Sequence, residues 1–375
     1  MTPRERYLRT MLFDNPDRPP FWPGGPREST LKAWHQQGLP DGANWFQTLL
    51  DEIGLKPQPT RPQPDLSVSF RMIPEFEEKV LEHRDGKYIV QDWMGAVVEI
   101  ADDFDYTYLR FPKDFVTRKW HKFPVEGRAG WEQMKARFDP ASPGRHPANL
   151  DEICRQLQDR DQPVSLNFNG PFWQLREWCG FEGLCQMLID DPDFVHDMVR
   201  FWTDFVSDTM RPVLERLAVD RAGISEDMAY KCHSMISPAM TREFLMPAYM
   251  CWVEELEVAG CPVIDMDSDG CIEELIPIWI DSGINCCDPI EVAAGNDIVE
   301  FRRRFGKLMA YTGGIDKRAI AAGGKVMEAE LNRVIPPLLE TGGFIPSCDH
   351  GVPSDITWPH FAAYARKLAQ MTGWI

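Results

Sequence analysis

A (β/α)8 TIM barrel with an N-terminal insertion covering the barrel mouth is the fold class that this sequence predicts, on three observations. From about residue 160 onward, short apolar runs ending in polar or glycine residues alternate with longer stretches of helical period, the signature of βα units. The short runs are strongly apolar, as strands of a parallel sheet covered by helices must be. Neither GxGxxG nor the phosphate-loop pattern GxxxxGK followed by Ser or Thr occurs, so the glycine-rich turn of a doubly wound nucleotide binder is missing and closure into a barrel is expected.

The elements follow in order. PPFWPGG (19–25) reads as a first strand. Residues from about 56 to 145 are rich in proline, charge and aromatics, and read as an insertion within a single domain spanning 1–375, with a strand pair around GKYIVQDWMGAVVEIADD (86–103). A structureless loop of that length is unusual in a compact domain, so the insertion is expected to lie over the barrel mouth. Six further strands are predicted at PVSLNFNG (163–170), RAGISED (221–227), CPVIDMDSDG (261–270), GINCCDP (283–289), KLMAYTGG (307–314) and GFIPSCDHG (343–351). Among the helices between them, one begins at Ser237, which caps it, carries Pro238 at its first position and ends at Gly260.

Composition narrows the function classes. The 375 residues are 43% hydrophobic, enough for a large buried core. Forty basic against 58 acidic side chains give a net charge of −18, which repels a phosphate backbone or an anionic bilayer. The N-terminus lacks the apolar core of a secretory signal, and no stretch reaches the roughly 18 apolar residues that a membrane span requires. Ten cysteines lie mostly in apolar stretches without CxxC spacing, which reads as reduced thiols in the cytoplasm. An enzyme acting on a small molecule, without nucleic acid or membrane as partner, is the class that remains.

In such barrels chemistry gathers at the C-terminal ends of the strands. Asp265, Asp267 and Asp269 share one face of the CPVIDMDSDG strand as far as extended geometry lasts, and three like charges coexist only with a cation, a basic group or a shared proton. Ser268 or Asp269 is also a candidate cap for the helix that follows. Cys348 and His350 stand two apart after the last strand: either thiolate and imidazole bind zinc with Asp267 and Asp269, or a buried neutral cysteine sits beside a histidine that hydrogen-bonds substrate. Glu226 is expected to face the site as acid or base, or to pair with Lys231. One of Cys286 and Cys287 must point inward and the other toward the helices. Asn167, Asn169, Trp173, Lys231, Glu291 and Tyr311 complete the candidate substrate-binding set, and Asp316 is a candidate cap for the helix after YTGGID.

GPFWQLREWCGFEG, YTGGID and CDHGVPSD, taken in that order, resemble segments of the uroporphyrinogen decarboxylase superfamily, which also holds methyltransferases serving corrinoid proteins. The resemblance covers most of 160–375. It implies a (β/α)8 fold and either methyl transfer or decarboxylation. True decarboxylases of the family carry an RQAGR motif whose arginines hold the porphyrinogen carboxylates; the corresponding stretch here is FWPGGPREST, where Arg27 alone could substitute. The zinc-dependent methyltransferases carry an HxCG segment and a last-strand cysteine. Here Asp267-Ser268-Asp269-Gly270 replaces the first, while Cys348 meets the second.

The function expected first is therefore a methyltransferase that moves a methyl group between a small methoxy, methylamine or methylthio compound and a corrinoid protein. Zinc is its expected metal, at Asp267, Asp269, Cys348 and His350, and Glu226, Asp269 and His350 are its catalytic candidates. A cofactor-free decarboxylase is the second expectation and a catalytically silent docking barrel the third. A corrinoid protein is the expected partner, and a homodimer is compatible with all three.

Overall fold

The computed structural model describes residues 1–375 apart from 104, 111–113 and 115. Among the described residues there are two sheets. Strands β1 (Lys79–Arg84), β2 (Lys87–Gln91), β3 (Val97–Ala101) and β4 (Lys119–Lys122) form an antiparallel sheet in that order. The other sheet is parallel and six-stranded, in the order β10-β9-β8-β7-β6-β5, with β5 (Ser165–Asn169), β6 (Arg221–Ser225), β7 (Val263–Asp267), β8 (Cys286–Asp288), β9 (Ala310–Ile315) and β10 (Phe344–Cys348). Every strand expected after residue 160 is present, each the spatial neighbour of the next, as successive βα units require.

The expected pair at 86–103 is β2 and β3, joined by a turn in which the Asp92 carboxylate accepts the backbone N–H groups of Met94 and Ala96. The flanking β1 and β4 carry no alternation, because every residue of both is exposed. PPFWPGG forms no regular strand. Pro23 and Pro26 lack the N–H that a ladder needs. The segment nevertheless runs beside β10: the N–H of Cys348 donates to Pro23 O (3.2 Å), that of Val352 to Gly25 O (2.9 Å) and that of Arg27 to Val352 O (3.2 Å). At the opposite edge, Phe70 packs on Phe168 of β5 with ring centroids 5.3 Å apart.

Alternation along the parallel strands divides the core. Val263, Cys286, Ala310 and Ile345, near the strand starts, pack with Met11 on the face that Tyr7, Leu8 and Phe13 close from below. Ala222, Ile224, Ile264, Met266, Cys287, Tyr311 and Phe344 face the helices within the main core cluster. Cys286 and Cys287 are thus split as the strand period demands. Ser237 caps its helix by accepting the N–H of Met240, a π-turn (Thr241–Leu245) precedes Pro247, and Gly260 ends the run at φ +83°. No helix is long and apolar enough to cross a membrane among the described residues.

Arg145, 1% exposed, holds the first part of the chain together. Its guanidinium donates to the carbonyls of Ser69 (3.2 Å), Arg137 (3.2 Å), Asp139 (3.0 Å) and Arg71. Arg145→Ala leaves these acceptors unsatisfied and is expected to destabilise the protein by about 3 kcal/mol or more. Urea titration checks the stability loss, and limited proteolysis should show earlier cleavage within 60–145.

Candidate active site

The acidic side chains after β7 and the thiol–imidazole pair after β10, although 81 residues apart at Asp269 and His350, border one cavity of about 520 Å³. Asp227, Asp267, Asp269, Asp288, Thr312, Ser347, Cys348 and His350 line it from the strand ends, and Trp22 and Gly24 from the segment beside β10.

His350 Nε2 lies 2.9 Å from Asp269 Oδ2, and Nδ1 lies 3.1 Å from an Arg27 guanidinium nitrogen. A guanidinium only donates, so Nδ1 accepts and Nε2 carries the proton toward Asp269. The Asp269 hydrogen bond pushes the imidazole above its ordinary value, while burial and the nearby charges of Lys317 and Arg27 oppose it. The net shift is upward, which favours the protonated ring.

Each aspartate persists in the cavity because it faces a partner. Ser225 Oγ donates to Asp267 Oδ2 (3.0 Å), and burial pushes that carboxyl up to about 6. Asp288 is driven well above the carboxylate range by burial and by Asp265, against the pull of Arg221 at 4.0 Å. Arg221 also bonds Asp265 Oδ2 through Nε (2.7 Å) and donates to Asn167 Oδ1 (3.1 Å). Asp227 sits at φ +41°, in the left-handed region, and meets the Arg176 guanidinium at 3.1 Å; burial raises it too.

Gly24 brings the N-terminal segment this close. At φ +112° a side chain is strained, and a Cβ there would stand 2.9 Å from the Cβ of Cys348. Gly24→Ala is expected to cost about 1–3 kcal/mol in a urea titration.

The other expected site residues fall into three groups. Asn167 and Asn169 line an adjoining cavity of about 620 Å³, and Trp173 walls both that cavity and the aspartate cavity. Glu291 lies behind the rim, accepting the Gly270 N–H (3.2 Å) and the Lys317 ammonium (2.9 Å). Glu226, Lys231 and Tyr311 line none of these cavities. Glu226 is fully buried, accepting the Trp173 N–H (2.8 Å) and the Tyr249 hydroxyl, so it neither faces the aspartate cavity nor pairs with Lys231, which is exposed. Tyr311 is buried against Arg302, whose guanidinium carbon is 4.9 Å from its ring, because alternation turns Thr312 into the cavity instead. Ser268 caps no helix: its hydroxyl accepts the Met228 N–H (3.1 Å). Asp316 does cap, accepting the Arg318 N–H.

The four residues expected to hold zinc do not fit that role as arranged. Among the described residues no group of three or more His, Cys, Asp and Glu side chains has the geometry to hold a metal ion. Both imidazole nitrogens of His350 are engaged, one by Asp269 and the other by the Arg27 guanidinium, so neither is open to a metal as arranged. Cys348 is 4% exposed and packs in the main core. Asp349, between these two, is wholly buried and accepts the N–H groups of Val292 (2.9 Å) and Lys317 (3.2 Å), fixing the turn that presents His350.

Asp227, Asp288 and Arg221 were not among the expected functional residues. A signal for Asp288 existed: in GINCCDP it alternates in phase with the inward Cys286.

Comparison with known proteins agrees with this architecture. The family model described as uroporphyrinogen decarboxylase (URO-D) matches residues 128–369. No curated protein matches the chain. A solved structure described as a methyltransferase from Methanosarcina mazei is similar in fold, with a TM-score of 0.55 at 14% sequence identity over 99% of both chains.

Proposed function

The chain belongs to the uroporphyrinogen decarboxylase family, and from that premise we propose that it is a cytoplasmic methyltransferase whose aspartate-lined cavity binds a small methylated compound. A corrinoid protein docked over the mouth is the other substrate. The fold-level likeness to a methyltransferase supports this reading, and the shared cavity of Asp267, Asp269 and His350 carries it. We further propose that the segments 23–27 and 66–72, at the two edges of the parallel sheet, complete a (β/α)8 barrel, and that 56–145 is an insertion over its mouth within a single domain. The packing of Phe70 on Phe168 and the bonds of 23–27 to β10 support that arrangement.

A reduced corrinoid supplies the electron pair that accepts the methyl group. The departing donor atom keeps the electrons of its broken bond to carbon and requires a proton. His350 delivers it as general acid, and Asp269 stabilises the imidazolium before transfer. Trp173 and Trp22 wall the cavity and limit water. No step runs through zinc.

Incubating the protein with reduced cobalamin and a panel of methoxy, methylamine and methylthio compounds should give the absorbance of methylcobalamin with at least one donor. Bound metal is to be measured on the same sample. If metal-replete protein turns over no donor in the panel, the family's other chemistry, decarboxylation, takes its place.

A further inference from the structure

Beside the aspartate cavity lies a chamber of about 730 Å³ between the antiparallel sheet and the helices that follow β5. Trp173 and Asp227 line both spaces. We propose that this chamber holds the ring of an aromatic carboxylate and that Arg118 anchors the carboxylate. The proposal rests on the methyl-transfer reading and names the donor: a methoxylated aromatic acid, its ring in the chamber and its ether reaching past Trp173 toward His350.

The walls are suited to a flat apolar ring: Met94, Val116, Trp120, Phe123, Trp173 and Phe181 line the chamber. Charge supplies the rest. The acidic residues of the chamber are already engaged. Asp227 is paired with Arg176, the Asp114 carboxylate accepts the Ser29 N–H (2.9 Å), and Glu177 accepts the Trp173 indole N–H (2.8 Å). Burial pushes Glu177 up to about 7, which lessens its repulsion of a bound anion. Arg118 differs. It is half-buried and, among the described residues, its guanidinium makes no hydrogen bond and no ion pair within 4.0 Å; the Trp120 ring lies 5.7 Å away and the Asp92 and Glu177 carboxyls act on it only at longer range. Burial lowers its affinity for its proton, and the distant Asp92 and Glu177 carboxyls offset this only in part. Guanidinium and carboxylate match in a planar, bidentate geometry, so an aromatic acid supplies both the missing anion and the ring that the walls accept.

Isothermal titration with 4-methoxybenzoate and with its neutral counterpart 4-methoxybenzamide tests this. The wild-type protein should bind the acid roughly tenfold or more tightly than the amide, Arg118→Gln should abolish that preference, and Arg118→Lys should restore part of it. Unchanged melting temperatures would show that the variants are folded. Equal affinity for acid and amide, full binding by Arg118→Gln, or no binding of the acid overturns the proposal. Binding of the acid with the expected variant pattern but without methyl transfer keeps the anion site and overturns the methyltransferase reading. Transfer from amines alone, with no binding of the acid, does the reverse.

Discussion

His350→Gln is expected to lower the rate of methyl transfer about 100-fold or more, and Asp269→Asn by a similar factor. The two side chains act as one unit: Asp269 fixes which imidazole nitrogen carries the proton and raises its affinity for that proton, and His350 delivers it. Removing either partner removes the delivery. The double variant should therefore lose little more than the worse single variant, since residues that act together are far from additive. Stopped-flow recording of methylcobalamin formation by the four proteins checks this, and losses that multiply would mean that the pair is not a unit. Arg27 enters the same account: with its guanidinium at Nδ1 the resting ring is neutral, so Arg27 must release Nδ1 before the imidazolium that delivers the proton can form.

The largest loss of stability is expected at Glu226. Its carboxyl lies at the N-terminus of the helix Pro171–Cys179, accepting the Trp173 N–H and the Tyr249 hydroxyl with no exposure to solvent. It fills the space that opens because residue 170 is glycine, where a Cβ would come within 2.2 Å of the Glu226 carboxyl carbon. Glu226→Ala leaves a cavity and two buried donors without an acceptor, at a cost of about 3–5 kcal/mol. Glu226→Gln isolates the charge. Burial lifts this carboxyl from its ordinary 4.5 to about 7, so the native state binds its proton more tightly than the unfolded chain does. The resulting stabilisation is complete below about pH 4.5 and is lost as the pH rises through about 7. Relative to Glu226→Gln, the wild-type protein should lose on the order of 3 kcal/mol across that window, read from urea midpoints at a series of pH values. Parallel curves for the two proteins would show that Glu226 is not the titrating group.

Glu226 also shows where the sequence is legible and where it is not. Alternation along RAGISED groups Glu226 with Ala222 and Ile224, which face the helices, so its direction was available from the period alone. Its chemical promise as a carboxylate at a strand end outweighed that signal. The same period separates Tyr311 from Thr312 and brings Asp288 into phase with Cys286. The six parallel strands were legible because each is a short apolar run bounded by polar residues. β1 and β4 were not, because all their side chains are exposed and the pattern that marks a strand comes from a buried face. The convergence of Asp269 with His350 was readable once both were placed at strand ends of one parallel sheet. Arg118 and Glu177 were not readable, since the antiparallel sheet that roofs their chamber has no fixed relation to the strands in the sequence.

The central claim is that the donor binds between the β7 and β10 ends with its methylated oxygen, nitrogen or sulfur toward His350. A crystal structure of the protein soaked with a donor that passes the cobalamin assay tests it most directly. Density for the donor in the Asp267–Asp269–His350 cavity, its methylated atom within hydrogen-bond reach of the His350 ring, is the predicted result. Density confined to any other surface or cavity would contradict it.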